Sequence, residues 1–412
     1  MILQIHYKQL KYMKRLFLLV AVALVGFAPA SAQKKIPETK TFIHRTEHRT
    51  EIILPKVNGF NVYKADLHIH SIYSDAHLTP EQRVKEAWID GLDIMAMTDH
   101  IEYRRNEPSF LKFTKGYNED GKPHKAVNFN VIRKDATEKG ILADLNLSNN
   151  EAIKAGKRYG DALLIIPGAE ITREPKTIGH YNALWVKDNN TIYDIDPYQS
   201  LRNARKQGAL ITHNHPGWSR KSCDKTEWQI KAYEEGLIDG VEIINGYSFY
   251  PKTMQRCIDE KLYMVSSTDI HALSAPTYKD RGVFRTMTFV FAKENTHKAV
   301  RDALEKRRTL CYSSGNIAGE EKLLVDFFKA SVNYHLLSKS KKASLYALTN
   351  STSIAYELQV GKRVYNLAPF ETITLSVSKD KSGNDKDLVL TVKNMWKVGY
   401  EHPKITFKAI SK

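Results

Sequence analysis

From Tyr63 to Ser314 the chain repeats one order: a short β-rich run, then a helical stretch. No other feature limits the fold as much, because strand–helix repeats build a mainly parallel sheet, open or closed into a barrel. The strands read "VYKADLHIH", "LDIMAMTDH", "ALLIIPGAEIT", "YNALWVK", "ALITHNHP", "GVEIIN" and "YMVSSTDIH". Helices read at "TPEQRVKEAWIDG", "YQSLRNARKQG" and "YPKTMQRCIDEK". The first is punctuated at both ends: Thr79 can cap it, Pro80 suits its first turn and Gly91 closes it. Residues 101–160 break the rhythm. They are charged, only "NNEAIKAGKRYG" reads as helix, and an insertion placed there can be a lid, a substrate wall or a plain surface elaboration.

After "THKAVRDALEKRR" the period changes to two. "SLYALTN", "AYELQV", "RVYNLAP", "TITLSVS", "LVLTVKN" and "KITFKAI" alternate apolar with polar residues, and turn formers separate them. That pattern predicts a small antiparallel sandwich. The expected organisation is a lead-in over 33–60, an α/β barrel over 61–317 and a β domain over 318–412.

Polar residues collect where the predicted strands of the barrel end: His68 and His70, Asp99 and His100, Glu170, His213 and His215, Asp269 and His271. In a β/α barrel those ends share one face, so residues far apart in sequence converge there. In His-x-His on a strand both rings point the same way. Imidazole and carboxylate are ligands for zinc, manganese and iron alike. Histidines scattered through a core by chance would not follow strand ends. Cys223, Cys257 and Cys311 form no C-x-x-C pair, which argues against a cysteine zinc site or a thiol redox site. One disulfide among them is possible, with no pairing favoured.

"DLHIHSIYSD…LTPEQRVKEAWIDGLDIMAMTDH", followed by "GAEIT", "GHYNAL", "HNHP" and "STDIH", resembles the PHP-domain (polymerase and histidinol phosphatase) family over residues 60–315. The resemblance implies a distorted (β/α)7 barrel, here followed by a small antiparallel β-sandwich domain. It also implies two to three divalent metal ions and phosphate-ester hydrolysis. Carried over by position, His68, His70, Glu170 and Asp269 would hold one ion. Glu170, His180 and His215 would hold a second, and Asp75, His100 and His271 a third. Ala76 stands where the family has glycine, with His77 after it, so either Asp75 or His77 can be the ligand; position favours Asp75. Position likewise favours His215 over His213.

A water shared by two metal ions loses its proton near neutral pH and becomes the nucleophile. His213 is then a candidate to protonate the leaving oxygen. Arg285 and Arg281 are candidates to grip phosphate oxygens. Asp99 and Asp66 are candidates to orient ligand histidines, and Glu242 reads equally as such a partner or as a plain strand residue. Trp218 reads as a pocket wall or a core aromatic. The chain lacks a G-x-S-x-G elbow, a P-loop and an H-E-x-x-H helix. An amide or ester metallohydrolase and a non-catalytic metal-binding module are the competing readings. Similarity to secreted bacterial phosphodiesterases rather than to histidinol phosphatase favours diesters over monoesters.

"MKRLFLLVAVALVGFAPASAQKK" reads as an export signal with cleavage after Ala32, and Met13 as a possible true start. Its apolar run is too short to anchor the chain in a membrane. The expected location is periplasmic or extracellular. The formal charge of +16 favours anionic partners. The positives are scattered and no basic stripe with interleaved aromatics is evident, so nucleic acid is expected at most as a substrate. The expected partner is a small phosphate ester; no protein partner is expected.

Overall fold

The computed structural model describes residues 48–106 and 144–410, apart from Glu174, Ile195 and Ser219. The export signal and most of the 101–160 insertion lie outside the described residues. Eleven strands come before residue 320: β1 (Asn61–Asp66), β2 (Ile94–Met97), β3 (Leu164–Arg173), β4 (Gly179–Leu184), β5 (Leu210–His213), β6 (Gly240–Asn245), β7 (Ser248–Phe249), β8 (Tyr263–Ser267), β9 (Met287–Ala292), β10 (Thr309–Ser313) and β11 (Asn316–Ala318). Helices α1 (Pro80–Ile89), α2 (Leu147–Gly156), α3 (Pro197–Lys206), α4 (Glu227–Glu234), α5 (Lys252–Asp259) and α6 (His297–Glu305) are interspersed among them.

Thr79 caps α1 as its sequence demands. Its hydroxyl accepts from the Gln82 amide, and the Gln82 side chain reaches back to the Thr79 amide. The buried positions of α1, Val84 and Ala87, share a cluster with Met95 and Met97 of β2. The alternate β2 residues, Ile94 and Ala96, join Ala65, Leu67, Ile166 and Tyr263 in another. That is the period-two division of a strand buried on both faces. At Gly240 on β6 a Cβ would lie 2.0 Å from the Tyr263 ring, so only glycine admits that ring.

The sheet is mixed, not parallel throughout. β1, β2 and β3 run parallel, as do β5, β6 and β8. β4 is antiparallel to both of its neighbours, and β9 is antiparallel to β1 and to β10. The reason at β4 is chain length. Residues 174–178 are too few for a crossover, which takes a dozen or more, so β3 and β4 form a hairpin. The sheet curls until β8 faces β9 and β10. There the contact runs through side chains: the Ser266 amide donates to Thr288 Oγ1 (2.8 Å) and Thr309 Oγ1 to the Met264 carbonyl (2.7 Å). One parallel bridge, Ile69 to Ile270, ties β1's extension to β8's. The result is a distorted α/β barrel.

Residues after 320, expected to form a β domain, open instead with a helix, α7 (Glu321–Ser331). Its buried residues Leu324, Phe327, Phe328 and Ser331 follow the helical i, i+3, i+4, i+7 spacing. Then come β12 (Val332–Lys339), β13 (Ala343–Asn350), β14 (Tyr356–Val360), β15 (Arg363–Leu367), β16 (Thr372–Ser378), β17 (Leu388–Val392), β18 (Met395–Trp396) and β19 (Lys404–Phe407). They form antiparallel sheets of order β12-β13-β16 and β15-β14-β17-β19, while β18 adds to the barrel sheet beside β11. Leu348 and Leu375 of one small sheet and Leu358, Leu390 and Ile405 of the other share a core with Phe327 and Phe328 of α7. Cys257 and Cys311 are buried, Cys223 is half-buried, and all three are unbonded. Among the described residues no helix is long and apolar enough to cross a membrane.

Candidate metal centre

The Ile69–Ile270 bridge sets the centre. Both isoleucines are buried, so period two turns His68 and His70 on one segment, and Asp269 and His271 on the other, to the opposite side. A second bridge, His100 to Glu170, brings the extension of β2 beside β3. β4 runs antiparallel, so its first residues lie where its neighbours end, and His180 enters from there. His215 follows β5. Asp269 and His215 hold positive φ of 53° and 25°, a local strain that the packing around them maintains.

Three groups of donor atoms result, each with its members within 4.8 Å of one another: His70, Asp75, His100 and His271; His68, Glu170 and His215; His68, His70 and Asp269. Glu170 is the hub. Its Oε1 lies 3.4 Å from His68 Nε2, 3.5 Å from His215 Nε2 and 3.5 Å from His180 Nδ1. Its Oε2 lies 2.6 Å from His100 Nδ1 and 3.6 Å from His70 Nε2. Asp269 Oδ1 is 3.3 Å from His68 Nε2 and 3.1 Å from His70 Nε2. Asp75 Oδ1 is 3.0 Å from His271 Nε2 and 3.5 Å from His100 Nε2. His77, the alternative to Asp75, is exposed and belongs to no group. His180 stands outside the three groups, beside Glu170, with its Nε2 buried and lacking a hydrogen-bond partner.

The donor set fits divalent cations. His68 Nε2 and His70 Nε2 face each other at 3.0 Å, two ring nitrogens aimed at one space. The far nitrogens are engaged. His68 Nδ1 lies 3.2 Å from Glu242 Oε1, and His271 Nδ1 donates to the Asp269 carbonyl at 2.8 Å. Such contacts fix the tautomer and leave Nε2 lone pairs pointing inward. Electrostatics agree. Burial resists a proton on His68, but Asp269, Glu170 and Glu242 outweigh it and raise its pKa well above the ordinary value. His100 is likewise opposed by burial yet raised to about 10, chiefly by Glu170 and Asp75. His70 goes the other way, to about 4, because burial is reinforced by His100 and His271. Burial favours protonated carboxyls, but the imidazoles hold Glu170 and Asp269 well below the ordinary carboxylate range.

Three residues expected in the chemistry lie elsewhere. Arg285 is buried; its Nε and Nη2 donate to Asp66 Oδ2 at 3.0 and 2.8 Å, and its Nη1 to Asp90 at 3.1 Å. Buried and held by two carboxylates in this way, the guanidinium is committed to Asp66 and Asp90 rather than offered to a phosphate. His213 is buried in the wall of the cleft that His180 and His215 also line, 2.8 Å from the Tyr233 hydroxyl and 3.4 Å from Gln229. Burial and the Arg256 guanidinium hold its pKa well below the usual histidine value, which disfavours the imidazolium form a general acid needs. Asp99 accepts from the Ser71 amide and from the Ser71 and Ser74 hydroxyls at 2.5–2.7 Å, and reaches the His70 ring only through Ser74. Asp66 touches no ring either; it ties the end of β1 to Thr268 and Arg285. Arg281 donates to the Pro276 carbonyl on the surface.

Two supporting residues carried weak or no signal in the sequence. Glu242, a carboxylate in the apolar run "GVEIIN", braces His68 and also accepts from the His215 amide at 2.8 Å. Arg83 of α1 is fully buried and donates to the carbonyls of His70, Ile270 and Ala272 at 2.7–3.1 Å. It locks together the two segments that carry His68, His70, Asp269 and His271.

A family model described as the PHP domain matches residues 66–355. A solved two-domain protein from Bacteroides vulgatus, containing a predicted PHP-like metal-dependent phosphoesterase, is 31% identical. It covers 89% of this chain and is itself covered completely, with a TM-score of 0.75. Weaker likeness links an amidohydrolase from Chromobacterium violaceum (15% identity, 50% of this chain and 87% of that one, TM-score 0.32). A lesion-specific endonuclease from Pyrococcus furiosus is similarly distant (16% identity, 68% and 64%, TM-score 0.37). No curated protein matches the chain.

Proposed function

Given that the chain belongs to the PHP-domain family of metal-dependent phosphoesterases, we propose that it hydrolyses phosphate esters, diesters in preference to monoesters. The observation that carries the reading is the inward convergence of buried ring nitrogens and ionised carboxylates around Glu170 and Asp269. Divalent cations held by His68, His70, Asp75, His100, Glu170, His180, His215, Asp269 and His271 would supply Lewis acidity toward phosphoryl oxygens and acidify water. The chain's own part is to hold that donor set rigid. Glu242 keeps the His68 Nδ1 proton, the Asp269 carbonyl keeps that of His271, and Arg83 fixes both loops.

The preference for diesters rests on the rim. There the exposed Trp218 indole stands beside the centre, its ring centroid 5.4 Å from that of His180 and 5.5 Å from that of His215. A diester brings a second organic group to meet such a rim, where a monoester brings a second negative charge. We also propose export, with a mature chain that starts at Gln33.

Manganese-reconstituted protein should hydrolyse bis(4-nitrophenyl) phosphate faster than 4-nitrophenyl phosphate. Equal or reversed rates would remove the diester preference, and no turnover of either would overturn the activity. Mass spectrometry of a periplasmic fraction should find Gln33 as the first residue; a chain found only in the cytosol would contradict export, and one retaining Lys14 and Arg15 in the periplasm would contradict the cleavage.

A further inference from the structure

The Pro216-Gly217-Trp218 turn leaves the centre directly after His215, and the Trp218 amide donates back to the His215 carbonyl at 2.8 Å. The turn is packed from below. A Cβ at Gly217 would meet Cys223 Sγ at 2.8 Å and the Tyr250 ring at 2.8–2.9 Å, so only glycine fits at that point of the turn. Its ring centroid lies 5.4 Å from that of His180 and 5.5 Å from that of His215. Lys176 Nζ stands 4.5 Å from the ring centroid over one face. Even so, 48% of Trp218 remains exposed. A large apolar side chain held in water beside two candidate metal ligands is a poor choice for packing alone.

A narrow cleft beside the indole is lined by His180, His213, His215, Trp218 and the basic Lys176 and Arg220, among others. The exposed part of the indole offers an organic group a flat surface at the edge of that cleft. A flat partner gains most there, because offset stacking needs two planes and the indole is already fixed at low entropic cost. The Lys176 ammonium adds positive charge on the same side, which suits an anionic ester.

We infer that Trp218 is a specificity-determining residue, a platform that stacks a planar aromatic substituent of the phosphate ester while the phosphoryl group occupies the centre. This rests on the phosphoesterase reading of the site. The test is binding, measured by calorimetry on the manganese-loaded protein with two slow diesters, diphenyl phosphate and dimethyl phosphate. Diphenyl phosphate should bind at least about tenfold tighter. Trp218→Ala should collapse that ratio toward unity, and Trp218→Phe should keep most of it. Equal binding of the two diesters by the native protein, or a ratio that survives Trp218→Ala, overturns the inference. Aryl-selective binding that depends on Trp218 but comes with no ester hydrolysis supports the platform and refutes the activity instead.

Discussion

The barrel buries two dense charge clusters, and they are built on opposite logic. Around Arg285, each charged head meets its complement: guanidinium donors face the carboxylates of Asp66 and Asp90, and Arg83 pairs with Glu86 at 2.8 Å. Around Glu170, three carboxylates serve a crowd of imidazoles, and some ring nitrogens face one another. His68 Nε2 faces His70 Nε2, and His180 Nε2 meets no partner at all. A buried cluster whose donors and acceptors match is complete and serves the fold. One whose lone pairs converge on shared space is incomplete without cations, and this is what separates a brace from a reaction centre.

The comparison breaks most sharply at Glu170. Glu170→Gln keeps the volume but removes the charge that touches five imidazoles. Turnover of bis(4-nitrophenyl) phosphate should fall on the order of 10³-fold or more, as when a preorganised electrostatic group is lost. A variant with more than a tenth of native turnover would deny Glu170 its central place.

Arg285→Met should do the reverse. It leaves Asp66 and Asp90 buried without their cation, so denaturant unfolding should show a loss of about 3–5 kcal/mol. Metal bound per folded molecule should stay as in the native protein. A variant of native stability that has lost only turnover would return Arg285 to the chemistry that the sequence reading gave it.

That misplacement shows what the chain discloses before folding. The convergence of the candidate ligands was legible because metal chemistry favours imidazole and carboxylate, and the strand period gathers them into short motifs such as His68-x-His70 and Asp269-x-His271. Arg285 and His213 were not, because "arginine near the last strand" and "histidine in HNHP" describe a phosphate grip and a proton donor equally well as a buried brace. Only burial and partners decide between them, and both are tertiary facts. The same holds for α7. Its residues follow helical spacing, yet they stand at the head of a run of alternating strands that masked it. The turn from β3 into β4 was legible in length but not in direction, so the sheet was expected to be more parallel than it is.

Glu242 braces His68 and His215, a carboxylate that serves the centre from outside its three donor groups. Glu242→Gln retains a group able to accept from His68 Nδ1 but loses one of the charges, after those of Asp269 and Glu170, that raise the His68 pKa. Cation affinity should weaken about 10–100-fold, as is usual when the outer partner of a metal-binding histidine is removed, with unfolding little changed. Competition against a chelating dye measures it. An unchanged affinity would reduce Glu242 to a strand residue, the reading its sequence allowed equally.

The smallest effect tests the claim of incompleteness itself, through pH. Without cations, His100 shares its protons with Glu170 and Asp75, and its folded-state pKa of about 10 lies above the unfolded value. A pKa raised by folding contributes stability that is fully present below about 6.5 and is lost as pH rises through about 10. His68, His215 and His271 shift in the same direction. Chelator-treated protein should therefore melt at progressively lower temperature between pH 6.5 and 10. With cations bound, those ring nitrogens are already deprotonated and have nothing to lose over that range. The gap in melting temperature between loaded and stripped protein should widen with pH, by a few degrees. The Arg285 cluster contributes nothing to that gap, since a guanidinium stays charged throughout. A gap that narrows with rising pH would mean that protons, not cations, complete the centre.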